Sequence, residues 1–474
     1  MSIQDIARPA GAPVTRAQPL RGLCGGAVFL PGDPGFDEAR TPWNVAVDQR
    51  PAAVAYPANA TETSQVVRAA AAAGLRVAPQ STGHNAGPLG PLDDVVIVRT
   101  SAMTHVDIDP VAQRARVGGG AVWLPVVEAA GPQGFATLHG SSPDVGVSGY
   151  SLGGGTGWYA RKLGLHANNV TGLELVTADG SIVRADATQN PELFWAMRGG
   201  GGNFGIVTAL EFAIFRFETA YGGMLVWDRT ETERVLRRWV EWAGYAPDEV
   251  TTSFRVLNLP PLPELPEAVR GRQLVVIDGA VLASDERSID ILSALRDLRP
   301  EMDTFGRVPA PSLVRLHMDS EGPTPVVSDT AMLDGLPDAA IDAFVQQSGP
   351  DSRSTLLINE LRQLGGALGR PHPGAGALPM LDGAFLAFGA ALAATPEMGA
   401  IGRGDANAFA AALAPFGSSR ASRSRTDSRS VAVVGRPGTV RGAGTISPLN
   451  NPTTDPAGPL RRRRPARPRC PRAG

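Results

Sequence analysis

The residues best placed for chemistry sit in three glycine-rich segments. Residues 79–87 read Pro-Gln-Ser-Thr-Gly-His-Asn-Ala-Gly after a strand pattern. Such small residues leave successive backbone N–H groups free to converge on an anion, as in a nest. Ser81 and Thr82 add hydroxyls, Gly83 the turn, Asn85 an amide, and His84 can reach a ring system from the same loop. An ordinary surface turn with a solvated histidine is the competing reading. The second segment, 140–158, places Gly140, Gly146, Gly149, Gly153, Gly154 and Gly155 at close, irregular intervals among Val145, Val147, Tyr150, Leu152 and Trp158. Glycine lets backbone approach a flat ligand without interference from Cβ. Flexible linkers do not interleave large apolar residues this way, so backbone packed against a large ligand is expected. In the third, Gly200, Gly202 and Gly205 match G-x-G-x-x-G. A dinucleotide fold needs those glycines between a strand and a helix. Here Ile206-Val207-Thr208-Ala209-Leu210 continues as strand, and the dinucleotide reading fails on context.

These segments need elements to hold them. Thr61 is expected to cap a helix that stops at Gly74, and Leu75–Ala78 reads as a strand opening into the polar loop at Pro79. Val95–Val98 is a short buried strand, and the runs at 106–108 and 115–117 flank an Asp-Pro turn. Residues 122–130 are amphipathic and end at Gly131-Pro132. Leu173–Val176 and Ser181–Val183 pair across Asp179-Gly180, a hairpin turn, and Asn190-Pro191 opens a short helix ending at Arg198-Gly199. Residues 207–217 read as strand. Helical periods follow at 232–243, 286–298 and 338–347, and strands at 274–277, 355–358 and 385–388. The expected domains are a loose leader (1–20), a first domain (21–217), a second (218–416) and a basic Gly/Pro/Ser/Arg-rich tail (417–474).

Composition excludes several functions. Of 44 basic residues in 474 only Lys162 is lysine, and its Ala-Arg-Lys-Leu context fits neither a Walker A loop nor pyridoxal-phosphate chemistry. A net charge of −2 makes the whole molecule no match for nucleic acid or an anionic membrane. No apolar run spans a bilayer, the first residues lack the order of a secretory signal, and Cys24 and Cys470 cannot make a disulfide framework. A soluble cytoplasmic protein is expected. No His/Cys/acid cluster has metal-ligand spacing.

The ordered motifs carry a resemblance. Ser81-Thr82-Gly83-His84-Asn85, then Pro143-x-Val145-Gly146-Val147-x-Gly149-Tyr150-x-Leu152-Gly153-Gly154-Gly155, Arg161-Lys162-x-Gly164-Leu165, and Phe194-Trp195-Ala196-x-Arg198 through Gly205 resemble the FAD-binding domain of the vanillyl-alcohol oxidase/p-cresol methylhydroxylase (PCMH) superfamily. Within it they are similar to the berberine-bridge-enzyme-like oxidases, strongly over 45–217 and weakly over 218–416. The resemblance implies an α+β chain, with a two-subdomain PCMH-type FAD-binding domain and an α+β substrate domain built on an antiparallel sheet. It implies that residues 81–85 hold the FAD pyrophosphate, that His84 bonds covalently to the flavin 8α-methyl carbon, and that Gly140, Ser141, Ser142, Val145, Gly146, Gly149, Tyr150 and Gly153–Gly155 line the flavin. Backbone at Gly205 and Ile206 would contact the adenine. Many relatives carry a second link through a cysteine; here that position is Ser142, so a single link is expected. The implied reaction moves a hydride from a small-molecule alcohol, sugar or secondary metabolite to FAD, then electrons to O₂.

For the proton acceptor, relatives use a tyrosine or an acid. Glu360 lies in a strand-like segment and is a candidate base, against the alternative of a solvated strand-end acid; Tyr150 is a second candidate, with packing as its alternative. Thr156 is expected to face the active site, and His139 and His166 to be structural or solvated. After Phe416 the chain has no tyrosine, whereas relatives end with a Tyr-x-Asn-type segment and a helix. The tail holds thirteen arginines and two acids, leaving the rest of the chain at −13. A disordered basic tail, a shifted reading frame and a nucleic-acid-binding tail all remain open. With a shifted frame, the alternative function is an FAD-binding protein with impaired or absent catalysis.

Overall fold

The computed structural model describes residues 16–261, 263 and 267–417. The tail readings, from 418 onward, and most of the expected leader lie outside the described residues. The part of the leader that is described is packed: Ala17 and Leu20 are buried in the first core.

That core forms around a four-stranded sheet in the order Val28–Phe29, Ala53–Ala55, Val95–Arg99, Arg76–Gln80, whose last three strands are parallel. Parallel neighbours require a crossover, and the helix Ala60–Ala72 lies between Ala53–Ala55 and Arg76–Gln80 in the chain. Its cap is Asn59, not Thr61. Asn59 Oδ1 accepts from Glu62 N at 2.9 Å, while Glu62 Oε2 accepts from Ala58 N at 2.9 Å, which satisfies two donors that the helix start leaves unpaired. The strand expected to end at Ala78 runs through Pro79 to Gln80. It is an edge strand, where the missing proline N–H is tolerated.

The second sheet is antiparallel, in the order Val106–Asp109, Arg114–Gly118, Ile206–Ala213, Val170–Val176, Ile182–Asp186. The hairpin at Asp179-Gly180 forms as expected, with Gly180 at φ +79°. Helices Trp123–Ala130, Val147–Leu152 and Pro191–Gly200 contribute Trp123, Val126, Val147, Leu152, Phe194 and Met197 to its core. The middle helix arises inside the glycine-rich segment, where no helix was expected.

Thr219–Asp228 opens a third, larger antiparallel sheet. Its order is Met302–Asp303, Thr219–Asp228, Gln273–Val281, Val250–Asn258, Ile358–Gln363, Phe385–Leu392, Val326–Leu333. Helices Thr232–Ala243, Asp285–Arg296, Asp338–Ser348 and Pro396–Leu413 supply side chains to the core on one face, with Trp227, Trp239, Trp242, Phe254, Phe344 and Phe409 buried there. Burial of each large apolar side chain stabilises the fold by roughly 1.5–3 kcal/mol. The strand expected at 355–358 begins at Ile358 instead, because its inward alternation is Asn359, Leu361 and Gln363. The opposite face of this sheet turns toward the first two sheets. There Ala220, Ala280 and Leu282 pack with Leu138, Trp158 and Tyr159. Among the described residues no helix is long and apolar enough to cross a membrane.

Candidate active site

The loop after Arg76–Gln80 is tied down by backbone bonds from Trp43 N to Thr82 O (2.9 Å) and Asn44 N to Gly83 O (3.5 Å). Gly83 has φ +90°, and a Cβ there would lie 2.7 Å from Pro42 Cβ, so only glycine fits. The His84 ring is stacked on Trp43, with centroids 3.9 Å apart and planes 15° from parallel. Its Nδ1 is 2.7 Å from Thr82 Oγ1, and its Nε2 is 3.4 Å from Asp144 Oδ1. Asp144 collects donors from three parts of the chain: Trp43 Nε1 at 2.6 Å, Ser142 Oγ at 2.9 Å and Gly322 N at 2.8 Å. Burial raises the proton affinity of Asp144, but the nearby His84 ring and the hydrogen bonds from Gly322, Trp43 and Ser142 outweigh it and hold the carboxyl well below its usual range. His84 and Ser142 therefore share one carboxylate.

Gly146 brings the second segment against this loop. A Cβ on it would come 2.6 Å from Ser81 Oγ, which is buried without a hydrogen-bond partner. Val145 O accepts from Trp123 N, and Gly149 lies within the helix that Gly153 ends. Gly154 and Gly155 have φ of +127° and +77°; a Cβ on Gly155 would meet Tyr150 and His166 at under 3 Å. Tyr150 donates its hydroxyl to Leu138 O at 3.0 Å and packs edge-on to Trp123. Burial raises its phenol above the ordinary value. For Tyr150 these contacts favour packing, the alternative to its expected catalytic role. Burial also lowers His139 to about 4 and His166 to about 3, so both are neutral core histidines. Gly205 leaves no room for a Cβ, whose nearest neighbour would be Val176 O at 2.6 Å, and the Ile206 side chain is buried in the first core.

A small cavity of about 40 Å³ lies between Ser141, Thr156 and Trp158 on one side and the third sheet on the other. Thr156, expected to face the active site, is among the residues that line this cavity. The sheet wall is charged, and strand register explains why: Arg255 stands opposite Glu360, while Ser253 stands opposite both Asp278 and Arg362. Arg255 Nη2 donates to Asp278 Oδ2 at 2.6 Å, and Arg362 Nε donates to Glu360 Oε1 at 2.7 Å. His317, just past the short helix Ala310–Arg315, joins them. Its Nδ1 is 2.8 Å from Asp278 Oδ2 and its Nε2 is 3.5 Å from Glu360 Oε1. Glu360 is 0% exposed, not a solvated strand-end acid. Burial raises its proton affinity, but Arg362 and His317 more than reverse this and keep it ionised. Burial and Arg255 push His317 down; Asp278, Asp319 and Glu360 outweigh them and raise it to about 9. Ser141 Oγ donates to Asp319 Oδ2 at 2.8 Å.

The sequence reading missed Trp43, Asp144, Arg255, Asp278, His317 and Arg362. Asp144 could have been found, since it lies two residues beyond Ser142 inside the glycine-rich segment. His317 carries no local signal. Among the described residues no group of three His, Cys, Asp or Glu could hold a metal ion.

Comparison with known proteins follows this geometry. Residues 51–186 match the FAD binding domain family. The chain is 35% identical to (R)-6-hydroxynicotine oxidase of Paenarthrobacter nicotinovorans over 209 residues, 44% of this chain and 46% of that protein. It is 36% identical to xylooligosaccharide oxidase of Thermothelomyces thermophilus over 231 residues, 46% of this chain and 45% of that one. Its sequence matches thus span about half the length of these curated relatives. Among solved structures it is similar to a chitooligosaccharide oxidase (TM-score 0.71, 23% identity, 86% of this chain and 88% of that) and to a Physcomitrella patens BBE-like 1 protein (TM-score 0.71, 20% identity, 82% and 87%). Residues 51–186 thus match an FAD binding domain, and the described residues have the α+β fold seen in the chitooligosaccharide oxidase and the BBE-like 1 protein.

Proposed function

We propose that the chain is an FAD-dependent oxidase that converts an alcohol, in a sugar or secondary metabolite, to a carbonyl compound while O₂ becomes H₂O₂. The observation that carries this reading is the packing of the His84 loop against the glycine-rich segment at Ser81 and Gly146, in a chain whose Ser141 and Thr156–Trp158 line a cavity with Glu360 and His317 on its other wall. The buried, unpartnered Ser81 Oγ and the close-packed glycines from Gly146 to Gly155 fit a polar, flat cofactor. Bound FAD would supply the hydride acceptor.

The chain's own residues divide the remaining work. Residues 81–85 and the backbone of 140–155 would hold the cofactor. His84 would carry its single covalent link, oriented by the Trp43 stack and by Asp144. Ser142 has no thiol for a second link, and its hydroxyl is committed to Asp144. Glu360 supplies an ionised acceptor on the cavity wall. Two cations lower its proton affinity, so it orients the substrate hydroxyl more strongly than it removes the proton. Trp158 and Leu368 help exclude water.

The test is H₂O₂ release by the full chain over a panel of alcohols and sugars, together with acid precipitation. A yellow pellet with peroxide formation is the expected result. A yellow protein that forms no peroxide with any substrate would favour the alternative, an FAD-binding protein without catalysis. A protein that holds no flavin would refute both.

A further inference from the structure

We infer that His317 and Glu360 act together as a hydroxyl-selecting pair, which admits a neutral, oxygen-bearing substrate and disfavours an amine cation. This rests on the proposed oxidase reading and narrows its substrate class. Both residues line the cavity, and both are essentially buried. His317 is fixed through Nδ1 by Asp278, so its Nε2 is directed toward Glu360. The 3.5 Å between Nε2 and Glu360 Oε1 is longer than a closed hydrogen bond. One ligand oxygen lying off that line can reach both groups at about 2.8 Å. Glu360 Oε1 is taken by Arg362, whereas Oε2 is buried with no partner. Buried acceptors left unpaired are costly.

A hydroxyl satisfies both groups at once: its oxygen accepts from His317 Nε2 and its O–H donates to Glu360. An ammonium group can only donate. It would meet Glu360 with the His317 imidazolium on one side and the Arg362 guanidinium on the other. The facing charges already balance, with Arg255, Arg362 and protonated His317 against Asp278, Asp319 and Glu360. An added cation therefore finds no free negative charge. Two further cavity groups, Trp158 Nε1 and Ser253 Oγ, are buried without partners and can donate to additional ligand oxygens.

The experiment compares cyclohexanol, trans-1,2-cyclohexanediol and cyclohexylamine, titrated into the full chain by saturation-transfer NMR at pH 7, where the amine is protonated. This reads the cavity whether or not flavin is held, so its outcome is separate from that of the peroxide assay. The alcohol should bind at least about tenfold more tightly than the amine, with the diol tighter still, a difference of about 1.4 kcal/mol or one hydrogen bond. His317→Leu should erase the alcohol-to-amine preference. Should that variant not fold, the wild-type protein gives the same information: cyclohexanol affinity should fall as the pH rises through about 9, where His317 loses its proton. The charged groups that face it are Asp278, Asp319, Glu360, Arg255 and Arg362. Equal or tighter amine binding, no binding of any probe, an unchanged preference in His317→Leu, or a pH-independent alcohol affinity overturns the assignment.

Discussion

Replacing His317 by glutamine should change how folding stability depends on pH, and the structure sets the size of the effect. In the folded chain three carboxylates raise the imidazole from 6.5 to about 9. The folded state therefore binds this proton more tightly than the unfolded chain does. The stabilisation is fully present below pH 6.5 and is lost as the pH rises through about 9. At 1.36 kcal/mol for each pKa unit, that shift corresponds to about 3 kcal/mol. The group is 2% exposed, so solvent screening takes little of it away. Glutamine keeps a similar reach but does not titrate. Urea unfolding of both proteins from pH 6 to pH 10 isolates the term, since other ionisations in that range, such as Cys24, raised by burial and Glu62 to about 11, cancel in the difference. The wild-type advantage should shrink by about 3 kcal/mol across the series. A difference that is flat, or that grows with pH, would refute the assignment of a proton to His317.

Three other outcomes are expected. Gly155→Ala forces a side chain at φ +77° to within 2.7 Å of Tyr150 Cε1, and should cost roughly 2–4 kcal/mol in denaturant unfolding and weaken flavin retention. Asn59→Ala removes the acceptor for Glu62 N at 2.9 Å and should lower stability by about 1 kcal/mol without changing flavin content. On the acid side, burial depresses His139 and His166, so the unfolded chain takes up their protons first. Stability should thus decline as the pH falls below 6.5, and His166→Phe should reduce that slope in urea titrations.

Local signals were legible where one segment buries one face. The helix Thr232–Ala243 and the hairpin at Asp179-Gly180 follow directly from period and turn chemistry. The expected Thr61 cap was displaced by two residues because Asn59 and Glu62 satisfy the first N–H groups reciprocally. The charged wall of the cavity was harder to read for a specific reason. Arg255 lies between Phe254 and Val256, and Glu360 and Arg362 flank Leu361, a pattern that signals a solvent-facing side. In this fold that side is covered by Trp158 and His317, so the same pattern marks a buried ion cluster. Apart from the Glu360–Arg362 bond, the pairings that assemble it join residues 23 or more apart in the chain, which no local window contains. The His84 loop was legible because its motif is contiguous; its partners Trp43 and Asp144 come from loops with no periodicity.

The central claim, a flavin held through His84 and not through Ser142, can be measured in one peptide map. Because Lys162 is the only lysine and arginines are sparse here, trypsin releases His84 in the peptide from Val77 to Arg99 and Ser142 in the peptide from Val117 to Arg161. Mass spectrometry of the purified full chain should find the flavin mass on the first peptide, localised to His84, and none on the second. Both peptides unmodified, or flavin carried by the peptide that contains Ser142, would contradict the account.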